Sequence, residues 1–187
     1  SSRQKRMNSV SLNEEKTDIF SKEVLFTREE INSRVEQLGR EISQDYQGRE
    51  LHLVGVLNGA FMFLADLVRH LSIPCQICFM QASSYKDQQV STGEVILMHN
   101  LDLSGKNVLV VEDIFDTGLT LKHIREDLNL QKPASLEICT LLNKKIPDKV
   151  SIDVKYIGFE IENRFVVGYG LDYAEKYREL PHISCLD

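Results

Sequence analysis

The chain has 187 residues, of which 42% are hydrophobic and 27% are charged, as in an ordinary globular protein with a buried core. Its formal net charge is -6, so it lacks the general basic surface by which proteins attract nucleic acid. No apolar run is long enough for a transmembrane helix, and we therefore expect neither nucleic acid nor membrane as a partner.

The N-terminal part of the chain predicts a polar leader followed by a helix and a strand. Residues 1–16 are polar and aperiodic, which predicts a disordered segment before a single domain over residues 17–187. Thr27 and Glu30 have the spacing of a capping box, and apolar residues then recur at helical spacing towards Gly48. Residues 51–57 form a short β-rich run, which predicts a buried strand.

A mostly apolar helix is predicted over residues 61–71, and a strand over residues 75–82. That strand contains Cys75 and Cys78 in a C-x-x-C pattern, which is also found in redox and zinc sites. Residues three apart on a strand point to opposite faces, and no second C-x-x-C completes a zinc site. We therefore expect two separate, free thiols and a reducing, cytoplasmic setting.

The second half of the chain alternates between strands and helices. Strands are predicted at 94–99, 108–111, 135–142, 154–159 and 165–167, with a polar loop at 83–93 and a helix at 119–130. The run at 108–111 has the continuous apolar character of a central parallel strand. Such alternation predicts an α/β fold with a mostly parallel sheet, whose ligands bind beyond the carboxyl ends of the strands. The turns after Leu57, Val111 and Leu142 are the places for chemistry.

Residues 108–120, with the sequence VLVVEDIFDTGLT, combine a buried strand, three acidic residues and the start of a helix. The helix start offers unpaired N–H groups and a positive dipole end, while Thr117 and Thr120 add hydroxyl donors and Gly118 permits close approach. The adjacent carboxylates of Glu112 and Asp113 suit a cis-diol or a hydrated magnesium ion. Together these features predict a ribose 5-phosphate site.

Each residue also has a purely structural interpretation. Taken singly, Glu112 and Asp113 are more typical of a solvated turn than of a site, and Asp116 is more typical of a helix N-cap. Lys144 and Lys145 suit a solvated pair, and Phe165 suits a core position in an apolar strand. Only the combined spacing favours a site.

The same segment resembles the phosphoribosyl-pyrophosphate signature of type I phosphoribosyltransferases, and the form VEDIxDTGxT is similar to their hypoxanthine-guanine branch. The resemblance runs from about residue 20 to the C-terminus. Its more specific part is the late run FVVGYGLDY at residues 165–173. It implies a central, mostly parallel sheet flanked by helices, a small hood built from the terminal segments, and a flexible flap loop.

The resemblance also implies an activity and a set of roles. The reaction is transfer of the 5-phosphoribosyl group from phosphoribosyl pyrophosphate to hypoxanthine or guanine, giving IMP or GMP, with Mg²⁺ as the cofactor. Glu112 and Asp113 hold the ribose hydroxyls, and Asp116 lies near the purine N7 as the catalytic residue. The 5-phosphate is bound by a short loop: Asp116, Thr117, Gly118, Leu119 and Thr120.

Residues further along the chain match the purine and pyrophosphate sides of the family's site. The purine side is matched by Lys144, Phe165, Val166 and Asp172, where a lysine, as a pure donor, selects a 6-oxo group. The pyrophosphate side is matched by Leu57, Asn58, Gly59 and Arg178, with a cis peptide between Leu57 and Asn58. Metal ligation falls to Glu112, Asp113 and Asp172.

Two positions depart from the family's pattern, since Asn58 and Leu119 both stand where lysine is common. Pyrophosphate binding must then depend on backbone N–H groups, Arg178 and magnesium, whereas the residue at 119 contributes mostly its backbone. The polar loop at 83–93 matches the flap, with Ser84 and Tyr85 on the pyrophosphate side, and its closure would exclude water. The family also forms dimers and tetramers, so a homodimer or homotetramer is expected.

Two other functions are alternatives to the phosphoribosyltransferase activity that the resemblance implies. A regulator could keep the phosphoribosyl-pyrophosphate site and bind a nucleotide or RNA without turnover, but Asp116, Lys144 and the acidic net charge argue against it. A Rossmann oxidoreductase fails because no G-x-G-x-x-G follows the first strand.

Overall fold

The structure is a computed structural model, and it describes residues 23–84 and 95–187. The segment 1–16, which we expect to be disordered, and Tyr85 of the expected flap lie outside the described residues. The strands are β1 (Val24–Phe26), β2 (Leu51–Leu57), β3 (Cys75–Ser84), β4 (Val95–Met98), β5 (Asn107–Phe115), β6 (Ser135–Lys144), β7 (Tyr156–Ile161), β8 (Val166–Val167) and β9 (Ile183–Cys185). The helices are α1 (Arg28–Asp45), α2 (Phe61–Val68) and α3 (Leu119–Asn129).

Helix α1 begins at the predicted capping box. The Thr27 hydroxyl oxygen accepts from the Glu30 N–H at 3.2 Å, and the Glu30 carboxylate accepts from the Thr27 N–H at 3.4 Å. The apolar stripe then buries one face of the helix against the sheet, including Ile31, Val35 and Leu38. The sequence pattern therefore located this helix correctly.

The main sheet has six strands in the order β4-β3-β2-β5-β6-β7. All neighbours are parallel except β3 and β4, which pair antiparallel at the edge. From β2 the chain continues to β3 and β4 at one edge of the sheet, and from β5 it continues to β6 and β7 at the other edge. The strand order therefore reverses between β2 and β5. The carboxyl ends of β2 and β5 therefore flank a topological switch point, where α/β sheets bind their ligands.

Both faces of the sheet are covered. Helices α1 and α2 pack on the face that includes Leu53 and Leu109, and α3 packs on the face that includes Val54 and Val110. This double burial explains the continuous apolar run of β5. The two cysteines of the C-x-x-C lie on opposite faces, because Cys75 packs on the face covered by α1 and α2, and Cys78 packs on the face covered by α3. The cysteines are free, as expected.

A second, three-stranded antiparallel sheet of order β1-β9-β8 brings the N-terminal and C-terminal segments together. This is the hood that the resemblance implied. Strands β1 and β9 were not predicted, because three-residue strands are too short to show periodicity.

The acidic pair, Glu112 and Asp113, belongs to strand β5 and not to a turn after it. We expected β5 to stop at Val111, with Glu112 and Asp113 in a turn, but the strand continues to Phe115. Backbone pairing with β6 sustains it, since Glu112 stands opposite Thr140 and Phe115 opposite Asn143. A parallel ladder is held by main-chain hydrogen bonds and tolerates polar side chains at its end. Strands β3 and β6 likewise extend two residues beyond their predicted ends, to Ser84 and Lys144.

Two late strands also differ from expectation by one or two residues, β7 by starting and ending later and β8 by starting at Val166. Within the described ranges, no helix is long and apolar enough to cross a membrane.

Candidate active site

A cavity of about 270 Å³ lies at the carboxyl ends of β2 and β5, at the switch point of the sheet. Its wall brings together eleven of the residues predicted for the site, which are Leu57, Asn58, Gly59, Glu112, Asp113, Asp116, Thr117, Gly118, Thr120, Asp172 and Arg178. These residues come from three separate stretches of chain. The fold therefore assembles three parts around one space: the turn at residues 57–59, the acidic end of β5, and the segment 168–178, which we call the late hairpin.

Other predicted residues lie beside the cavity wall rather than in it. Lys144 reaches the wall through an ion pair with Asp116, and Leu119 begins α3 behind the loop. Phe165 and Val166 belong to the hood, and Ser84 ends β3.

The acidic pair of β5 is buried, with its backbone in the strand. The Ile114 N–H donates to the Asp113 carboxylate at 2.9 Å, and the Asp113 N–H donates to the Glu112 carboxylate at 3.3 Å. Burial, and then the neighbouring Asp113 charge, raise the pKa of Glu112 well above its ordinary value. The solvated-turn interpretation of these two residues is wrong. A buried carboxyl group without a cationic partner suits a ligand that brings hydroxyl donors or positive charge.

The turn after β2 lies directly on Asp113. The peptide bond between Leu57 and Asn58 is cis, as the resemblance implied. At Gly59, an added Cβ would stand 1.9 Å from the Asp113 Oδ2 atom. Only glycine permits this contact, because any side chain at position 59 would occupy the space of the Asp113 carboxylate.

The loop between β5 and α3 contains the residues expected to form the phosphate cradle. Helix α3 begins at Leu119 after Gly118, whose φ of +88° carries the chain through the left-handed region. The Thr117 carbonyl accepts from the Val150 N–H at 2.9 Å, which holds the loop from outside. Gly118 has the N-cap position, so Asp116 is not the N-cap of this helix. Thr117, Gly118 and Thr120 line the cavity beside the first turn of α3, and the N–H groups at a helix start suit an anion.

Lys144 ends β6 and contacts the carboxylate of Asp116 at 3.3 Å. Only 11% of its side chain is exposed, whereas that of Lys145 is 57% exposed and lies 3.8 Å from Glu162. The solvated-pair interpretation therefore holds for Lys145 and is wrong for Lys144. A cation and a carboxylate stand together at one end of the cavity, with the Asp116 side chain half exposed towards it.

A third cation, Lys149, was missed in the sequence. Its ammonium group donates to the carbonyl oxygens of Phe115 at 2.8 Å and Lys144 at 2.7 Å, and to the side chain of Asn143. It also lies 3.6 Å from the centre of the Phe115 ring. Desolvation lowers the pKa of Lys149, although the nearby carboxylates oppose the shift. No sequence pattern marks it, because its partners are mostly backbone carbonyls.

The late hairpin supplies the far wall. The Arg178 guanidinium donates to the Gly170 carbonyl at 2.7 Å and lies 3.5 Å from the Asp172 carboxylate. Asp172 also accepts from the Glu175 N–H at 2.9 Å. These contacts hold a cationic fork and an acidic group side by side at the cavity.

The hood presents an aromatic ring rather than burying it. Phe165 is 45% exposed and meets the ring of Tyr173 edge-on at 5.7 Å. Its backbone N–H donates to the Asp187 carboxylate at 3.0 Å, and its carbonyl accepts from the Leu186 N–H at 2.9 Å, so both backbone groups of Phe165 are held. The core interpretation of Phe165 is therefore wrong, whereas Val166 is buried within β8.

Within the described part of the chain, no three His, Cys, Asp or Glu side chains converge to form a metal site by themselves. The carboxylates at the cavity nonetheless fit Mg²⁺, which keeps several waters and binds through one or two carboxylates together with phosphate oxygens.

Comparison with known proteins agrees with this geometry. The family model of the phosphoribosyl transferase domain matches residues 24–174. A hypoxanthine-guanine phosphoribosyltransferase of Dictyostelium discoideum is 49% identical over 171 residues, covering 88% of this chain and 95% of that protein. A hypoxanthine phosphoribosyltransferase of Escherichia coli (strain K12) is 47% identical over 166 residues, covering 87% of this chain and 93% of that protein.

Solved structures give the same result. A crystal structure of a hypoxanthine-guanine phosphoribosyltransferase from Bacillus anthracis is similar with a TM-score of 0.83 and 43% sequence identity. The match covers 89% of this chain and 99% of that chain.

Proposed function

We propose roles for the individual residues on the premise that this chain belongs to the phosphoribosyltransferase family, as a purine-salvage enzyme of the hypoxanthine-guanine type. The reaction forms a bond between a purine nitrogen and the anomeric carbon of phosphoribosyl pyrophosphate, and breaks the bond from that carbon to pyrophosphate. The observation that carries the proposal is the single cavity in which an acidic strand end, an anion cradle and a cationic fork meet.

The ribose phosphate lies across the end of β5. Glu112 and Asp113 accept hydrogen bonds from its hydroxyl groups, which offset the cost of keeping carboxyl groups buried. Its 5-phosphate occupies the cradle of Thr117, Gly118 and Thr120, with backbone N–H groups of Asp116 and Leu119. Positive charge that develops on the ribose in the transition state is stabilised by these carboxylates.

The purine lies between Lys144 and the exposed ring of Phe165. Lys144 is a pure donor and therefore favours a 6-oxo group over the 6-amino group of adenine. Asp116, next to Lys144, takes the proton from the purine nitrogen N7 or stabilises charge there. Phe165 stacks on the base, and the backbone of Val166 reads its edge.

The pyrophosphate lies at the turn of Leu57, Asn58 and Gly59, with Arg178 on its other side. Asp172, with Glu112 and Asp113, would hold Mg²⁺ directly or through water, and the ion would neutralise charge on the leaving group. The resemblance assigns Ser84 and Tyr85 to this side of the site as well. These assignments extend the family relationship to residues of this chain.

Turnover is the direct test. The protein is incubated with phosphoribosyl pyrophosphate, Mg²⁺ and hypoxanthine, guanine, xanthine or adenine, and nucleotide formation is followed by ultraviolet absorbance. Asp116→Asn is compared with Asp153→Asn, an exposed acid outside the cavity. We expect turnover of 6-oxopurines but not of adenine, with a loss of about 10²- to 10⁴-fold in the Asp116 variant alone.

Absence of turnover with all four bases, despite binding of phosphoribosyl pyrophosphate, would reject the salvage reaction. Equal activity of the two variants would reject the role of Asp116 while leaving the reaction in place.

The chain also has features that support a cytoplasmic homodimer or homotetramer. Its cysteines are free, as in a reducing compartment. Four apolar side chains, Ile77, Phe79, Ile96 and Met98, are exposed on one face of β3 and β4, and such a patch is typical of a protein interface. Light scattering after gel filtration gives the subunit number, and a monomer at all concentrations would contradict this assembly.

A further inference from the structure

Lys149 lies where the two strands that carry the chemistry end. Strand β5 ends at Phe115, one residue before Asp116, and β6 ends at Lys144. The two strand ends are in register, with Phe115 opposite Asn143. The ammonium group of Lys149 donates to the last carbonyl of each strand, at 2.8 Å and 2.7 Å.

All three donors of this ammonium group have an acceptor. The third is the side-chain oxygen of Asn143, whose amide nitrogen donates to Glu160 of β7 at 2.9 Å, so both contacts fix the same amide orientation. The face of the Phe115 ring lies beneath the cation. A lysine with every donor satisfied by two strand ends is a connector between those strands and has little freedom to act as a solvated charge.

We propose that Lys149 is a positioning residue, whose ammonium group ties the ends of β5 and β6 together and thereby sets Lys144 against Asp116. The inference rests on the proposed roles of those two residues. Asp116 follows Phe115 directly, and Lys144 is itself one of the bonded residues. Moving one strand end against the other therefore changes the 3.3 Å distance between the Lys144 ammonium and the Asp116 carboxylate.

The phosphate cradle has a separate support. The next residue, Val150, holds Thr117 through its backbone N–H, and this bond does not depend on the side chain at position 149. Loss of the Lys149 ammonium should therefore affect the purine side of the site more than the phosphate side. This difference separates positioning of Lys144 from a general effect on folding.

The test compares Lys149→Met with Lys145→Met, a neighbouring lysine that is exposed and lies outside the cavity. For each variant, kcat and KM are measured for hypoxanthine, adenine and phosphoribosyl pyrophosphate, and activity is normalised to folded protein. We expect Lys149→Met to lose about 10- to 100-fold in kcat/KM for hypoxanthine and to discriminate less against adenine. KM for phosphoribosyl pyrophosphate stays within about threefold, and Lys145→Met behaves as the wild type.

A double-substitution cycle with Lys144→Met tests whether Lys149 acts through Lys144. In that background the Lys149 substitution should cost less than about threefold, because the side chain to be positioned is gone. Fully additive losses would overturn the inference, as would a Lys149 variant that matches Lys145→Met. A loss shared equally by all substrates, in step with a lower melting temperature, would also overturn it.

Failure of the underlying function has a different signature. Without turnover by the wild type, the reaction itself is wrong, and if Lys144→Met keeps full discrimination against adenine, the role of Lys144 is wrong. Lys149→Gln, which keeps two N–H donors without the charge, is measured by the same criteria in case the methionine variant folds poorly.

Discussion

Gly59→Ala is expected to abolish most activity while leaving the protein folded. The added Cβ would stand 1.9 Å from the Asp113 Oδ2 atom, against an ordinary contact that begins at 3.4 Å, so the carboxylate must retreat by about 1.5 Å. The three nearest atoms to this Cβ all belong to the Asp113 side chain, which can turn away into the cavity. Misplacement of a site group by this distance costs about 10²-fold in rate, whereas overpacking costs about 1–3 kcal/mol of stability.

The matched control is Gly105→Ala, where an added Cβ has no neighbour within 4 Å but the φ of +70° disfavours alanine. It should lose about 1–2 kcal/mol of stability, or about 2–4 °C in Tm for each kcal/mol, with kcat/KM unchanged. Steady-state kinetics with varied phosphoribosyl pyrophosphate and thermal unfolding separate the two effects. If Gly59→Ala kept kcat/KM within about threefold of the wild type, the close packing of this turn on Asp113 would not matter for catalysis.

Two further substitutions test the charges at the cavity. Because burial raises the pKa of Glu112, the folded protein binds its proton more tightly than the unfolded chain, and stability falls as pH rises from the ordinary Glu range through the raised pKa. Glu112→Gln should therefore stabilise the ligand-free protein while lowering its activity. Its free energy of unfolding should exceed that of the wild type by up to about 1.4 kcal/mol more for each pH unit in that window. Calorimetry from pH 4 to 8 measures this difference, and a difference that does not change with pH contradicts the prediction. Arg178→Lys keeps the charge but loses the planar fork, so KM for phosphoribosyl pyrophosphate should rise about tenfold with little change for hypoxanthine, and an unchanged KM would place pyrophosphate elsewhere.

The local signals of the sequence located most of the fold. Apolar periodicity placed the long elements, and the Thr27 capping box marked the start of α1. Polarity, by contrast, misplaced the end of β5, since Glu112 and Asp113 look like a turn although main-chain pairing continues past them. Strands β1 and β9 of the hood were not predicted, because each is stabilised by a partner far away in sequence, as β1 is by β9.

The site shows the same division between local and long-range information. The motif from Glu112 to Thr120 is contiguous and could be predicted, whereas Lys149 could not, because its acceptors are two backbone carbonyls and an amide on other strands. Lys144 and Lys145 are adjacent in the sequence and are distinguished by the burial of their side chains. Burial depends on how the end of β6 lies against the loop after β5, which the composition at these positions does not encode.

Three segments of the cavity wall meet at Gly59, which lies against the Asp113 carboxylate on one side and the backbone of Gly170 on the other. Asp113 of β5 touches the turn at Gly59, and an added Cβ at Gly170 would stand 2.2 Å from the carbonyl oxygen of that same Gly59. Gly170 in turn accepts the hydrogen bond of Arg178. The segment around Gly170 and the acidic end of β5 are therefore both packed on the turn after β2, the first through its backbone and the second through the Asp113 side chain. In the ligand-free protein this packing places the Asp113 carboxylate and the Arg178 guanidinium on two sides of one turn. Under the roles proposed above, such preorganisation reduces the reorganisation needed in the transition state.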